Sequence, residues 1–324
     1  MIVSMNPPYE LTTDIFRLVT KISEKLGEAK ALHLDKPSPQ LRKRNKIKKI
    51  HSSLKIEGNT LSEDQITAIL ENKRVIGSKQ DILEVKNAIK VYGSLDQYDP
   101  KSAKSFLLAH KTLMNGLIEK AGQYRTENVG VVQGDKVAHL APPSSNVDYL
   151  MGELFKYLKT TNELTLIKSC VFHYEMEFIH PFLDGNGRMG RLWQNLILLK
   201  EYSVFEYLPF ETLISDNQQA YYDALGKSDK AGNSTAFIEY MLTIIDASLD
   251  DLLSFSNRPM KRSDRLMYFK SLRKESFSRK DYMEVFKEIS TATASRDLQE
   301  GVNLGVFKKE GDKRNTIYKL VMDK

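Results

Sequence analysis

The sequence is poor in cysteine and lacks a long apolar run. Its 324 residues contain a single cysteine, Cys170, so no disulfide can form within the chain, and we expect a reducing, cytoplasmic location. No stretch is apolar enough to span a bilayer, and the N-terminus does not have the pattern of a signal peptide, so we expect no membrane partner. Hydrophobic residues make up 41%, which is enough for a sizeable core.

Positive charge is concentrated near the C-terminus. Residues 258–324 contain 17 Lys and Arg against 10 Asp and Glu, whereas the remainder contains 31 against 32. The whole chain carries a net charge of +6, so the C-terminal segment accounts for the excess. Together with a plausible linker at Ser256–Pro259, this asymmetry favours a separate basic domain at 258–324. We expect an N-terminal helical region at 1–100 and a core at 101–255 before it.

The hydrophobic pattern predicts helices over most of the chain. A first helix is expected at about 10–31. A basic helix with apolar residues at helical spacing then ends at Glu57-Gly58-Asn59, where Gly58 can adopt a left-handed conformation. Ser62-Glu-Asp-Gln65 is typical of a capping box. Asp99-Pro100 predicts the start of a helix that continues to about Gly116.

Strand signals are few and local. Residues 128–143 alternate loosely around Gly134-Asp135, which predicts a hairpin. Apolar helices follow at about 165–179 and beyond residue 192, with two more at 215–227 and 234–255. In the basic segment, helices near 263–274, 278–287 and 290–304 precede a hairpin with strands around residues 306–307 and 317–318. Three helices followed by such a hairpin predict a winged helix-turn-helix.

The densest group of chemically active residues is His180-Pro-Phe-Leu-Asp-Gly-Asn-Gly-Arg-Met-Gly-Arg191. A glycine-rich turn that opens a helix presents backbone N–H groups able to hold phosphate oxygens. Asp184 can hold Mg²⁺, a hard ion that prefers carboxylate and phosphate oxygens. Arg188 and Arg191 lie three residues apart and can both reach phosphates. His180 can take a proton near neutral pH. These residue types together favour phosphoryl or nucleotidyl transfer.

The same stretch matches the Fic family signature His-Pro-Phe-x-Asp-Gly-Asn-Gly-Arg-x-x-Arg at every fixed position. The segments Phe172–Glu175, Gly122–Arg125 and Tyr221-Tyr222 also resemble that family, so the resemblance covers roughly residues 40–250. It implies a mainly α fold, an all-helical core with a small β-hairpin flap, here followed by the winged helix-turn-helix. It also implies transfer of AMP from ATP to a Tyr, Thr or Ser hydroxyl of target proteins and of the chain itself.

The resemblance also implies residue roles. His180 would be the catalytic base and Asp184 the Mg²⁺ ligand, while Arg188 and Arg191 would hold the β- and γ-phosphates. Phe182 is expected in the core. His173 lies seven residues before His180 and is expected to be a core histidine rather than a metal ligand. The nucleotide-binding residues implied are Gly185, Asn186, Gly187, Arg188, Met189, Gly190, Arg191, Tyr222 and Asp229.

An inhibitory element is also implied. Ser53-Leu-Lys-Ile-Glu57-Gly58 matches the family's inhibitory motif, Ser/Thr-x-x-x-Glu-Gly/Asn. Glu57 is expected in the last turn of its helix, where the helix dipole disfavours an anion, so a cation elsewhere would stabilise it. Arg191 is the expected partner. If Glu57 engages Arg191, the γ-phosphate loses its contact and ATP binds with its α-phosphate misaligned.

Several partners and alternatives stay open on the sequence alone. A hydroxyl-bearing target segment would bind the flap at 128–143 by strand addition. The basic C-terminal segment, with Ser295 and Arg296 on a recognition helix and lysines on the wing, is compatible with DNA or with protein. A homodimer is a weaker expectation. The alternative functions are a DNA-binding regulator that uses the Fic core as a nucleotide sensor, removal of AMP from the same site, and transfer of another phosphate-containing group.

Overall fold

A computed structural model describes residues 7–32, 39–133, 136–256, 262–271, 276–286, 289–311 and 316–321. The chain divides into two compact units, residues 1–36 with 42–253 and residues 37–41 with 254–324. The predicted boundary at 100/101 falls inside the first unit. The predictions for Gly134-Asp135 and for the linker beyond Ser256 lie outside the described residues, as do Lys313 and Arg314, two basic residues between the predicted strands of the C-terminal hairpin.

The first unit is built almost entirely from helices around one large apolar core. Apolar side chains recur at helical spacing, so each helix buries one face and the central helices bury nearly all of theirs. Its helices are α1 (Thr13–Ala31), α2 (Pro39–Ile56), α3 (Glu63–Leu70), α4 (Lys79–Gly93), α5 (Ala103–Leu113), α6 (Val147–Thr160), α7 (Thr165–Ile179), α8 (Asn186–Leu199), α9 (Glu211–Asp216), α10 (Gln218–Ala231) and α11 (Thr235–Ser256). The predicted mainly α class is confirmed.

A two-stranded hairpin is the sheet of the first unit. Strand β1 (Gly130–Gln133) pairs antiparallel with β2 (Lys136–Leu140), and the register shifts between Val131 and Val132. We use the name flap for residues 128–143, which contain both strands. Among the described strands, β1 and β2 pair only with each other, so each keeps one outer edge. The predicted hairpin is therefore present.

The second unit contains three helices and a three-stranded antiparallel sheet. Its elements follow the order α12 (Arg262–Ser271), β3 (Ser276–Phe277), α13 (Arg279–Val285), α14 (Thr291–Asn303), β4 (Phe307–Glu310) and β5 (Ile317–Leu320). Strand β5 lies between β3 and β4. A separate aromatic core includes Phe269, Phe277 and Phe307. The three predicted helices and the hairpin are present, whereas β3 was missed; the name winged helix-turn-helix stays a prediction.

Local capping explains several helix ends. Ser62 and Gln65 form the predicted capping box, and Gly58 adopts φ 89° just after α2 ends. The predicted helix start at Asp99-Pro100 is wrong. Asp99 Oδ1 instead accepts a hydrogen bond from the Lys101 N–H at 2.9 Å, which forms a turn, and Ser102 caps α5 one turn later. None of the described helices combines the length and apolar character needed to cross a bilayer.

Candidate active site

The loop of residues 180–187, here called the catalytic loop, joins α7 to α8. His180 ends α7, and its N–H still donates to the Met176 carbonyl at 3.0 Å. Its backbone is left-handed, with φ 50° and ψ 61°, which is uncommon for a residue with a side chain. Gly185 adopts φ 85° and precedes the first residue of α8. The signature therefore folds as a tight turn that delivers His180 and the α8 N-terminus to the same loop.

Asn186 holds the turn closed from inside. Its Oδ1 accepts from the Phe182 N–H at 3.0 Å, and its Nδ2 donates to the Phe182 carbonyl at 2.9 Å. Phe182 is buried, as predicted, and stacks on the ring of His110 with centroids 3.5 Å apart. The asparagine side chain is thus occupied by the loop itself, and the part of Asn186 left to meet a phosphate is its backbone.

His110 supports the loop from α5 and was not identified from the sequence. Its Nδ1 accepts from the Gly122 N–H at 2.8 Å, so Nε2 carries the hydrogen and donates to the Asp184 carbonyl at 3.0 Å. Burial lowers the pKa of His110 to about 4, so it is neutral at pH 7 and keeps this tautomer. A lone histidine on an apolar helix face gives no sequence signal for this role.

Asp184 and Arg188 lie together at the start of α8. Asp184 Oδ1 accepts from the Gly185 N–H at 2.6 Å and from Arg188 Nη2 at 2.9 Å. The Asp184 side chain is 55% exposed, whereas Arg188 is buried and also lies 3.6 Å from Glu84. One accessible carboxylate fits Mg²⁺, which is commonly held by one or two carboxylates and the substrate phosphates. No group of three or more His, Cys, Asp or Glu side chains in the described ranges could hold a metal by itself.

Arg191 contacts the predicted inhibitory motif directly. Its Nη2 donates to Glu57 Oε1 at 2.7 Å and to the Ser53 carbonyl at 3.0 Å, and its Nε donates to Ser53 Oγ at 3.2 Å. Arg191 is fully buried. Burial alone would lower the pKa of Arg191, but the Glu57 carboxylate raises it, so the guanidinium stays charged. The expected Glu57–Arg191 pair is therefore present, and Ser53 contributes two further acceptors.

The Glu57 carboxylate also lies against the glycine of the turn. A Cβ atom built on Gly187 would be 2.5 Å from Glu57 Oε1 and 3.1 Å from Arg191 Nη1. No side chain fits at Gly187 while Glu57 is in place. An anion therefore lies at the backbone of the predicted anion hole, beside the arginine expected to hold the γ-phosphate.

Other contacts along α2 fix the position of Glu57. Lys49 is buried and donates to the Phe205 carbonyl at 2.7 Å. Ser52 Oγ lies 3.1 Å from Thr212 Oγ1. Gln218 Nε2 donates to the Ile56 carbonyl at 2.6 Å, which satisfies an orphan carbonyl at the end of α2. The helix is thus docked along its length, and Glu57 is one of several contacts that hold it.

The remaining predicted nucleotide-site residues are placed in different surroundings. Met189 is in the core, and Gly190 packs against His173 where α8 meets α7. The Tyr222 hydroxyl accepts from Gln218 Nε2 at 3.0 Å, and Glu57 and Arg191 are near enough to influence its pKa. Asp229 accepts from the Tyr174 hydroxyl at 2.9 Å. The structure therefore brings Tyr222 to the Glu57–Arg191 pair, and it places Met189 and Gly190 in helix packing; their nucleotide roles stay predictions.

His173 is a core residue, as expected. Its Nδ1–H donates to Gln194 Oε1 at 2.6 Å, and its Nε2 accepts from the Tyr221 hydroxyl at 3.1 Å. Burial lowers the pKa of His173 to about 3, so it is neutral under ordinary conditions. Both ring nitrogens are engaged within the core, and neither is available to a metal.

Comparisons with known proteins cover the segment that contains the catalytic loop. The Fic/DOC family model matches residues 100–198, which contain the catalytic loop. The protein adenylyltransferase Fic of Drosophila melanogaster is 28% identical over 211 residues, 62% of this chain and 41% of that protein. The relative from Drosophila grimshawi is 27% identical over 252 residues, 74% of this chain and 49% of that protein. The chain spans less than half the length of these curated relatives.

Solved structures extend the likeness to the whole chain. Fic-1 (residues 134–508) from C. elegans has a TM-score of 0.62 at 22% identity, covering 74% of this chain and 72% of that one, and shows a shared fold. A Fic family protein from Desulfovibrio desulfuricans G20 has a TM-score of 0.76 at 36% identity and covers 99% of each chain. Since this identity extends over both units and the signature is complete, the chain belongs to the Fic family.

Proposed function

We propose that this chain is an autoinhibited protein adenylyltransferase that transfers AMP from ATP to a hydroxyl side chain. The observation that carries the proposal is the catalytic loop itself, in which His180, the N-terminus of α8 and two arginines converge on one turn. Relatives named protein adenylyltransferase Fic support the reaction class. The intact His180 favours an enzyme over a nucleotide sensor, because a sensor has no need of a general base.

The residues of the loop divide the reaction between them. The N–H groups at the start of α8 and the guanidinium groups of Arg188 and Arg191 would hold the phosphate chain. His180 would take the proton of the target hydroxyl as its oxygen bonds to the α-phosphorus and the bond to pyrophosphate breaks. Charge accumulates on the pyrophosphate, so the same cations lower the barrier. Mg²⁺ bound at Asp184 would neutralise part of the phosphate charge.

The target would reach this loop along the flap. A two-stranded sheet offers backbone donors and acceptors at its outer edges, and an extended target segment can add there as a further strand. Backbone pairing is nearly independent of sequence and would place a Ser, Thr or Tyr hydroxyl beside His180. A flap variant that abolishes transfer to proteins while leaving ATP binding intact would support this part of the proposal.

Autoinhibition follows from the Glu57–Arg191 contact. Glu57 uses the arginine that the γ-phosphate requires, and its carboxylate lies against the backbone of Gly187. Two anions cannot share these groups, so ATP either is excluded or binds out of line for attack. The contact lies within the first unit, so the inhibition acts within one copy of the chain.

The test is intact-mass analysis after incubation with ATP and Mg²⁺. The variant E57G should gain AMP, and E57G/H180A should not. The matched control K55G introduces glycine two residues earlier, in the last turn of α2, and keeps the Glu57 carboxylate, so it should remain unmodified. An adduct of different mass would point to another transferred group. Absence of any adduct on E57G, also when a cell lysate is supplied as target, would refute the proposal.

The second unit favours an additional role in binding DNA. On α14, Thr291, Ala292 and Arg296 are exposed, whereas the acidic Asp297 is buried and paired with Arg265. A helix face of small residues and a cation suits a DNA groove. The full chain should bind duplex DNA with an affinity that falls steeply with salt, and R296A should weaken it. Failure to bind at low salt would remove this role. Homodimer formation and AMP removal stay predictions.

A further inference from the structure

Arg125 is a buried cation whose partners are backbone groups. Arg125 is only 2% exposed. Every acceptor that the described ranges give it is a main-chain carbonyl, whereas buried arginines are usually paired with a carboxylate. An arrangement of this kind is costly unless the guanidinium satisfies its hydrogen bonds. The carbonyls that Arg125 contacts therefore define which segments it holds together.

Two of these carbonyls belong to the end of α7. Arg125 Nε donates to the His180 carbonyl at 2.7 Å and Nη2 to the Ile179 carbonyl at 3.2 Å. The Arg125 N–H adds a bond to the Pro181 carbonyl at 2.9 Å. Carbonyls at a helix C-terminus lack intrahelical partners and carry partial negative charge, which suits a cation. The left-handed backbone of His180 is thus held at three successive carbonyls, as strained positions at functional sites require.

The other two carbonyls belong to the two ends of the flap. Arg125 Nη1 donates to the Glu127 carbonyl at 2.8 Å, just before the flap begins, and Nη2 donates to the Pro142 carbonyl at 2.6 Å, where it ends. Four of the five N–H groups of one guanidinium are therefore used. Only a rigid, forked cation reaches four carbonyls in this way; a lysine ammonium has three donors at a single point.

We propose that Arg125 is a positioning residue that sets the register between a target strand on the flap and the imidazole of His180. The inference rests on the proposed AMP transfer. In that reaction the α-phosphorus can be attacked by a target hydroxyl, which yields protein-bound AMP, or by water, which yields free AMP. In both cases the bond to pyrophosphate breaks and the nucleophile loses its proton. The register between flap and His180 affects the rate of attack by the hydroxyl, because the flap must deliver it. It does not affect attack by water, because water diffuses freely into the site.

The experiment measures both products in the E57G background. E57G, E57G/R125Q and E57G/R125K are incubated with ATP and Mg²⁺, protein-bound AMP is measured by intact mass, and free AMP by chromatography. We expect the ratio of protein-bound to free AMP to fall about 10- to 100-fold in both Arg125 variants, the loss that misplacement of a reacting group by about 1 Å produces. The KM for ATP should stay within a factor of about two of the parent, because the phosphate contacts are untouched.

The matched control is N87A, which also removes one buried side-chain bond to a carbonyl, that of Asn87 Nδ2 to Asn115 at 2.8 Å. It should leave the ratio unchanged. An equal fall of both products in the Arg125 variants would show a merely structural role and overturn the proposal, as would an unchanged ratio. A lysine variant with the parental ratio would show that charge suffices and would also overturn it. R125K keeps the charge and three donors. If R125Q does not fold, the ratio of protein-bound to free AMP in R125K still tests the proposal.

Hydrogen exchange tests the same proposal without any reaction. R125K should accelerate exchange in the peptides that cover 127–144 and 179–187 together, since one side chain joins them. Faster exchange in only one of the two would overturn the proposal. If E57G forms no protein-bound AMP, the proposed function fails, and the exchange measurement still decides whether Arg125 couples flap and loop.

Discussion

Removal of the Glu57 carboxylate releases a measurable amount of binding energy for ATP. The bond from Arg191 is charge-assisted, and such bonds contribute about 1.5–3 kcal/mol. The Glu57 side chain is 27% exposed and Arg191 is not exposed at all, so water screens one partner and the lower half of that range applies. Since about 1.4 kcal/mol is tenfold in an equilibrium constant, E57G should bind ATP about 10- to 40-fold more tightly than the parent chain.

The gain in ATP affinity should depend on the charge of residue 57. The amide in E57Q can still accept a bond from Arg191 but lacks the charge, and neutral bonds contribute about 0.5–1.5 kcal/mol. E57Q should therefore fall between the parent and E57G, both in ATP affinity by calorimetry and in AMP incorporation by intact mass. In an R191A background, the Glu57 substitution should lose most of its effect, because a double-mutant cycle isolates the pair.

The unfolding transition gives an independent readout. Without Glu57 the buried guanidinium retains only Ser53 as an acceptor from α2, so E57G should unfold at a lower temperature. ATP should restore stability in E57G more than it raises that of the parent. Equal ATP affinity and equal AMP incorporation in E57G and the parent would refute the reasoning. A gain in transfer without a gain in affinity would place the inhibition in the orientation of ATP.

Three further predictions concern packing and protonation. Burial lowers the pKa of His173 from 6.5 to about 3, so the unfolded chain binds a proton more readily than the folded chain, and stability is lost as the pH drops below about 6.5. From this group alone, the free energy of unfolding in urea should be about 2 kcal/mol lower at pH 5 than at pH 7. An unfolding free energy that does not change with pH would contradict this prediction. D297A removes the carboxylate that accepts two hydrogen bonds from Arg265, at 2.6 and 3.0 Å. It should destabilise the second unit by about 3–5 kcal/mol, and an unchanged unfolding transition in calorimetry would refute this prediction. In G190A the new Cβ would lie 2.5 Å from the His173 ring, which should lower the free energy of unfolding by about 1–3 kcal/mol. The control G152A meets nothing within 4 Å, so it should be neutral or stabilising. Similar melting temperatures for the two variants would contradict the prediction.

Features that depend on neighbouring residues in the chain were predicted well. The capping box at Ser62, the end of α2 at Gly58 and the long apolar helix α7 are each specified within a few residues. The catalytic loop belongs to the same class, because its glycine and asparagine satisfy the turn locally. The Glu57–Arg191 pair joins residues 134 positions apart, and it was predicted from the family resemblance and the helix dipole, not from spacing.

The features that were missed depend on distant partners or on backbone groups, and one local choice was predicted wrongly. Strand β3 has two residues, Ser276 and Phe277, and is a strand only because it pairs with β5. The predicted start of α5 failed because Asp99 has two competing uses, as a helix cap and as a turn former, and the sequence alone does not decide between them. His110 and Arg125 act on carbonyl groups, which carry no side-chain signature. Backbone acceptors become visible only when the chain is folded.

The proposed inhibition and the proposed binding of ATP depend on the same groups, and this restricts how the inhibition can be altered. Arg191 and the bare backbone of Gly187, which Glu57 contacts, are also the groups that would hold the phosphates. A substitution at either position would disturb the inhibitor and the substrate together. Changes at Ser53 on α2, or at Glu57 just after it, remove only the competing acceptors, since both residues lie outside the catalytic loop. Activating substitutions should therefore concentrate on α2, and a selection for AMP transfer that instead recovered changes at Arg191 would contradict a shared site.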